Sequence, residues 1–231
     1  MRANQLKNKP CENLSSCARN RVAVWRLGVV EYGAACQLQK KIHQKRVEGE
    51  IGDTLLLLEH PPTITVGKAG KLENILVPSE TLEQRGISLY FVDRGGDVTY
   101  HGPGQLVGYP ILDLSSRGAD LKRYVRELEE VLIRTLEDFS IKTDRDPQHV
   151  GVWVGQKKIA SIGLSIRDWV SMHGFALNVC SNLEGFSLIH PCGFKDRKTA
   201  SMQELLAFQP SMEEVIKRLL GHFSEVFDPE P

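Results

Sequence analysis

The sequence predicts a single α+β domain, a mixed and largely antiparallel sheet with flanking helices, over about residues 21–225. Three observations carry this reading. Strand-like and helix-like segments do not alternate strictly, as a doubly wound sheet requires. The last three strand-like segments follow one another across short turns. No internal repeat, low-complexity linker or break in composition divides the 231 residues.

Taken in order, Val22 to Leu27 alternates as a first strand ended by Gly28. Ala35, Leu38 and Ile42 recur at helical spacing in a helix from Tyr32 to about Glu48. Thr54 to Glu59 reads as a buried strand stopped by Pro61 and Pro62, and Ile64 to Val66 as a short extended piece before a loop at 67–71. A short helix is expected at Ser79 to Gln84, closed by Gly86, then a strand from Ile87 to Val92. The glycine-rich stretch Arg94 to Gln105 reads mostly as turn and loop, and Leu106 to Leu112 as an apolar strand. Leu121, Val125, Leu128, Leu132, Leu136 and Phe139 form one helical stripe. Strands then follow at Val150 to Val154, Lys158 to Ser165 and Trp169 to Val179, with Gly155 and Asp168 at their turns. A last helix spans about Met212 to Phe223, N-capped by Ser211.

Composition narrows the function classes. Twenty-nine basic residues balance twenty-nine acidic ones, which argues against broad binding to a phosphate backbone. No apolar run approaches the roughly 20 residues of a membrane helix. Segment 1–20 is basic and poor in acids, as a matrix-targeting segment can be. It shows no amphipathic apolar face, so a disordered tail is the expectation, with a cytoplasmic location ahead of a mitochondrial matrix. Five cysteines, at 11, 17, 36, 180 and 192, form no even framework and no CxxC pair, which points to free thiols in a reducing compartment. The seven histidines are scattered without metal-ligand spacing, so no metal site is expected.

Four segments have the chemistry of a site. Arg94-Gly-Gly-Asp-Val-Thr-Tyr-His-Gly-Pro-Gly-Gln105 has the glycines of a small-molecule cradle, or of a bulged hairpin with an exposed arginine. It matches neither GxxxxGK[ST] nor GxGxxG. Ile189-His-Pro-Cys-Gly193 holds a cysteine between Pro191 and Gly193. A thiol with a pKa near 8.5 needs a nearby cation or base to become a nucleophile, and Cys180 competes with Cys192 on these grounds. Lys158 opens a strand in which Lys158, Ala160 and Ile162 share one face; it is a strand-end lysine in water or an inward-pointing one. Ser171 to Asn178 places Gly174 in mid-strand, a sign of a bulge or of close approach by a ligand.

Together these segments resemble the lipoate-biosynthetic octanoyltransferase family, the lipoyl(octanoyl) transferases. The family pattern is matched by Arg94, Gly95, Gly96, Thr99, Tyr100, His101, Gln105 and Tyr109. Further matches are Glu59-His-Pro-Pro62 with Gly67, Gly151-Val-Trp153, Lys158-Ile-Ala with Gly163, His173-Gly with Ala176-Leu-Asn178, and Pro191-Cys-Gly193. The similarity covers about residues 22–220.

The resemblance implies the catalytic-domain fold of biotin and lipoate protein ligases and a catalytic pair made of Cys192 and Lys158. It implies an acyl pocket lined by Arg94, Gly95, Gly96, Asp97, Val98, Thr99, Tyr100 and His101, by Ser161, Ile162 and Gly163, and by Gly174, Phe175 and Ala176. Asp97 fills a variable slot of the pattern, and Cys180 falls outside the matched positions. The donor would be octanoyl-acyl carrier protein. The acceptors would be lysines of unlipoylated lipoyl domains, in 2-oxoacid dehydrogenase E2 subunits and the glycine cleavage H protein. No cofactor, metal, nucleic acid or membrane is called for, and a monomer is expected. Oxyanion donors would come from the backbone around Cys192 and Gly193 or from a turn at 161–163. Rival readings are an ATP-dependent lipoate or biotin ligase, a hydrolase pairing Cys192 with His101 or His173, and a non-catalytic acyl- or carrier-binding protein.

Overall fold

The computed structural model describes residues 21–193, 197–206 and 208–228, and at Cys192 the backbone alone. The segment 1–20, with the expected tail and with Cys11 and Cys17, lies outside the described residues. In chain order the elements are β1 (Ala23–Val29), α1 (Tyr32–Val47), β2 (Thr54–Glu59), β3 (Thr63–Val66), α2 (Ser79–Gln84), β4 (Ser88–Phe91), β5 (Val98–His101) and β6 (Gln105–Ile111). They continue with α3 (Leu121–Glu137), β7 (Asp144–Arg145), β8 (Val152–Val154), β9 (Lys157–Arg167), β10 (Val170–Asn178), β11 (Lys198–Thr199), α4 (Met202–Leu206) and α5 (Met212–Phe227). Short 3₁₀ turns cover Leu183–Leu188 and Pro191–Gly193.

The large sheet runs β1-β2-β6-β10-β9-β8-β7, with β11 beside the start of β9. Only β1–β2 and β9–β11 are parallel. This is the mixed, mainly antiparallel sheet that the closely spaced final strands foretell. A second sheet, β4-β3-β5, stands apart from it.

Both faces of the large sheet are covered, and β2 shows why its sequence is an unbroken apolar run. Leu55 and Leu57 point to a core shared with Leu128, Leu132 and Leu136 of α3 and with Val215, Leu219 and Phe223 of α5. Leu56 and Leu58 point the other way, to Ala35 and Ile42 of α1. A third core, around Ile64, Val98, Tyr100 and Phe186, fills the space behind the small sheet. The edge strand β1 is largely uncovered, with Trp25 and Val29 exposed and Arg26 paired to Glu213 of α5.

Several expectations are corrected. The stretch 94–105 is mostly turn and loop as expected, but it holds a strand that was not: Val98–His101 forms β5, paired to β3 along its whole length. The strand was hidden because glycines bracket it closely on both sides. The buried stripe of α3 omits Leu121, which is exposed, and takes in Tyr124 and Glu129 instead. Asp120 caps that helix, accepting from the Arg123 backbone N–H at 3.0 Å. Ser211 precedes α5 but makes no side-chain cap bond. On β9 the pairing with β8 slips by one residue between Val152 and Trp153. This bulge sends Ile159 and Ala160 to the same core and breaks the alternation expected of Lys158, Ala160 and Ile162.

Mid-strand Gly174 is required by a close backbone approach within the sheet. A Cβ there would sit inside the Gly108 carbonyl oxygen and 2.6 Å from Pro110 Cδ, so β6 and β10 approach too closely for any side chain. Gly174→Ala is therefore expected to destabilise the fold by about 1–3 kcal/mol, as overpacking against rigid backbone does. The midpoint of urea unfolding measures this, and an unchanged midpoint would show that the two strands can separate at little cost.

Candidate active site

Between the faces of the two sheets lies a narrow slot. Its walls come from Tyr32 at the start of α1, the loop Arg94–Asp97, and Val98, Thr99 and His101 of β5. The large sheet adds Val107 and Tyr109, Ser161 to Gly163, and His173 to Ala176. Every residue assigned above to the acyl pocket lines this slot except Tyr100. Strand alternation turns the Tyr100 ring to the far side of β5, where it packs edge-on to Phe186 at 5.5 Å.

The glycine-rich cradle is held by its own backbone. Lys68 and Ala69 N–H groups donate to the carbonyls of Arg94 and Gly96 at 3.0 and 3.1 Å, and Gly95 N–H donates to Leu164 O at 2.8 Å. Arg94 is buried rather than exposed. Its guanidinium donates to Thr65 Oγ1 at 2.7 Å, to Thr65 O at 2.9 Å and to Gly95 O at 3.0 Å, so it braces the cradle from behind. Asp97 acts as a clamp. Its carboxylate accepts from the N–H groups of Lys71 at 3.0 Å and Val98 at 2.8 Å, and from Asn74 Nδ2 at 2.5 Å.

The far wall of the slot is a cluster of buried histidines and tyrosines whose hydrogen bonds fix their tautomers. His60 Nδ1–H donates to Val30 O at 2.6 Å, leaving Nε2 to accept from the Tyr109 hydroxyl at 2.7 Å. Gln105 gives its amide nitrogen to Asn178 Oδ1 at 2.9 Å and to Tyr100 O, so its Oε1 accepts from His101 Nδ1–H at 2.7 Å. His173 Nε2–H donates to Asp93 at 2.9 Å, while its Nδ1 is buried without a hydrogen-bond partner. Burial depresses all three imidazoles, His101 to about 3, and for His101 the neighbouring His60 adds to the effect. The three rings are neutral at physiological pH. Burial likewise raises the Tyr109 phenol well above its usual value.

Lys158 does not line the slot. It is buried to 9% exposure, with its ammonium 4.9 Å from the centre of the Trp153 ring. Gly151, at φ +127°, leaves the room: a Cβ there would lie 2.9 Å from Lys158 Cε and 2.6 Å from Ala160 O. The Gly151 N–H is held in turn by the buried carboxylate of Glu129 at 3.0 Å. Arg197 stacks on the same indole at 4.7 Å and pairs with Asp146 at 2.5 Å. Glu129, Asp146 and Arg197 carry no motif, and nothing in the sequence singles them out. The inward lysine, one of two alternatives in the sequence, is the one observed.

The 3₁₀ turn Pro191–Gly193 lies between these two regions. Gly193 approaches the Asp97 carboxylate, and the His190 N–H donates to Asn74 O at 2.8 Å. Pro191 shares a cavity with Thr199, which pairs with Lys158 in register. The Gly193 N–H donates to His190 O at 2.9 Å, and residues 161–163 lie within the β9–β10 ladder, not a turn. Of the cysteines whose side chains are described, Cys36 and Cys180 are both pushed up by burial, which disfavours their thiolates.

The sequence pattern of the lipoyl protein ligase A/B catalytic domain matches residues 31–224. The chain belongs to that family. It is 52% identical over 203 residues to the octanoyltransferase of Caldicellulosiruptor saccharolyticus, covering 87% of this chain and 86% of that protein. The fold is similar to that of a bipartite lipoate protein ligase from Thermoplasma acidophilum. The TM-score is 0.69 at 18% identity, over 90% of this chain and 84% of the other. It is also similar to the biotin protein ligase of Aquifex aeolicus, with a TM-score of 0.52 at 15% identity over 89% and 68% of the two chains. The family expected from the motifs is the family found. As the octanoyltransferases are acyltransferases, the chain is an enzyme of that class.

The neutral histidines make stability depend on pH in a defined window. An unfolded imidazole binds a proton below about pH 6.5, whereas buried His101 does so only near pH 3. Between those values the unfolded state holds more protons, so stability rises with pH and falls on acidification. The melting temperature should drop from pH 7 to pH 5, and less steeply in His101→Gln. Equal slopes for the two proteins would show that His101 takes up its proton without unfolding.

Proposed function

We propose that this protein transfers an octanoyl group from octanoyl-acyl carrier protein, through a thioester on Cys192, to a lysine of a lipoyl domain. The observation that carries the reading is the buried lysine at the start of β9, one strand pair away from the segment that follows the Cys192 turn, in a chain half-identical to named octanoyltransferases.

In the first step the Cys192 thiolate adds to the carbonyl carbon of the donor thioester. The carbon–sulfur bond to the carrier breaks, and the carrier thiol leaves with a proton from the Lys158 ammonium. In the second, the acceptor ε-amine adds to the Cys192 thioester. The carbon–sulfur bond to Cys192 breaks, the amide forms, and neutral Lys158 takes the proton that the amine sheds. A nearby ammonium favours the thiolate that the first step needs. The incoming amine, with a pKa near 10.4, is neutral only to about one part in a few thousand at pH 7, so a base at this point is required. The slot, with its apolar backbone-lined walls, would take the octanoyl tail. Acyl carrier protein as donor, the E2 and H-protein lipoyl domains as acceptors, and a cytoplasmic setting belong to the same proposal.

Intact-mass measurement after mixing with octanoyl-acyl carrier protein tests it. One added octanoyl group is expected on the wild type and on Cys180→Ala, and none on Cys192→Ala. Lys158→Ala should slow acylation and transfer at least a hundredfold with an unchanged circular-dichroism spectrum. ATP-dependent modification of a lipoyl domain from free octanoate, with no adduct at Cys192, would replace the transferase with a ligase.

A further inference from the structure

The far end of the slot is closed by one side chain that is built into an unusual position. His173 sits in mid-strand with φ +56°, a backbone conformation rare outside glycine. It is 1% exposed, its backbone N–H is taken by Gln39 Oε1 at 2.8 Å, and its Nδ1 has no partner. On the slot side it meets Tyr109, at 6.3 Å between ring centres. On the other side its partner Asp93 lines a second cavity, together with Cys36, Ser165 and Met172. His173 is therefore a partition between two cavities.

Strand register gives the length of the slot. Ser161 pairs with Ala176 at the near end, and Leu164 pairs with His173 at the far end. Three residue steps along an antiparallel strand cover about 10 Å. An extended eight-carbon chain spans about 9 Å from carbonyl carbon to methyl. Two more carbons would drive the methyl into the His173 ring and its bare nitrogen, which offers a hydrocarbon nothing, and the ring cannot move without giving up Asp93.

Building on the transferase reading above, we propose that His173 is the chain-length stop of this enzyme, a specificity-determining residue that limits the acyl group to about eight carbons. Removing its ring joins the slot to the cavity beyond. The added space admits the two further methylenes, whose burial favours the longer chain by about tenfold.

The test compares octanoyl and decanoyl carrier-protein thioesters as donors. Wild type should prefer octanoyl. In His173→Gly, which also suits the positive φ, the decanoyl-to-octanoyl ratio of kcat/KM should rise about tenfold, and in His173→Asn it should rise by a smaller factor. Thermal shifts with free octanoate and decanoate follow the same order without requiring catalysis. A ratio unchanged in both folded variants, in transfer and in fatty-acid binding, overturns the stop and leaves the transferase standing. If wild type transfers neither acyl group, the transferase reading fails, and the fatty-acid shifts alone decide the stop. Should His173→Gly not fold, His173→Asn carries the comparison.

Discussion

An ammonium group inside a protein is expensive, and the burial of Lys158 is the constraint around which its neighbourhood is arranged. The indole of Trp153 supplies a face for the charge, and the bare backbone of Gly151 supplies the space for the stem. Glu129, itself buried on α3, fixes Gly151, while the salt bridge of Arg197 with Asp146 packs the other cation of that indole. The bulge on β9 sets the angle at which the lysine leaves its strand. These features come from four separate parts of the chain, and they serve one side chain.

The slot has the opposite character. Its imidazoles are neutral, with tautomers set by hydrogen bonds to Gln105, Val30 and Asp93. Motif residues that invite a ligand-binding reading have other duties. Gln105 orients His101, Arg94 supports the cradle from inside, and Tyr100 belongs to the core behind the small sheet. Asp97, which the motif leaves variable, proves to tie the cradle to Asn74 and so to the turn at 190–193.

Much of the fold was legible because its elements obey simple periods. The apolar run of β2, the hairpins of β8 to β10 and the helix α3 could be placed from pattern alone. Helix α1 was harder, since its buried face carries Gln39 and His43, polar residues with long-range partners. β5 was missed because glycine density outweighed four residues of strand. For the site, the motifs pointed to the right segments, but spacing does not tell which way a side chain faces. Hence Tyr100 was assigned to the wrong side of its strand, and the second sheet, which forms the roof of the slot, was not foreseen. Glu129, Asp146 and Arg197 act through tertiary contacts across 16 to 51 residues of sequence, which leave no local trace.

Gln105 passes its amide to Asn178, Asn178 donates to Ala200 O at 3.0 Å, and the Ala200 N–H donates to Lys158 O at 2.9 Å. His101 on the slot wall and the backbone of Lys158 are thus joined by an unbroken relay, whereas His173 is anchored elsewhere, to α1 and to Asp93. The two ends of the cavity consequently differ in how freely evolution or a designer can retune them. Changes at the His173 end stay local, while any change that disturbs Gln105 or Asn178 propagates to the lysine.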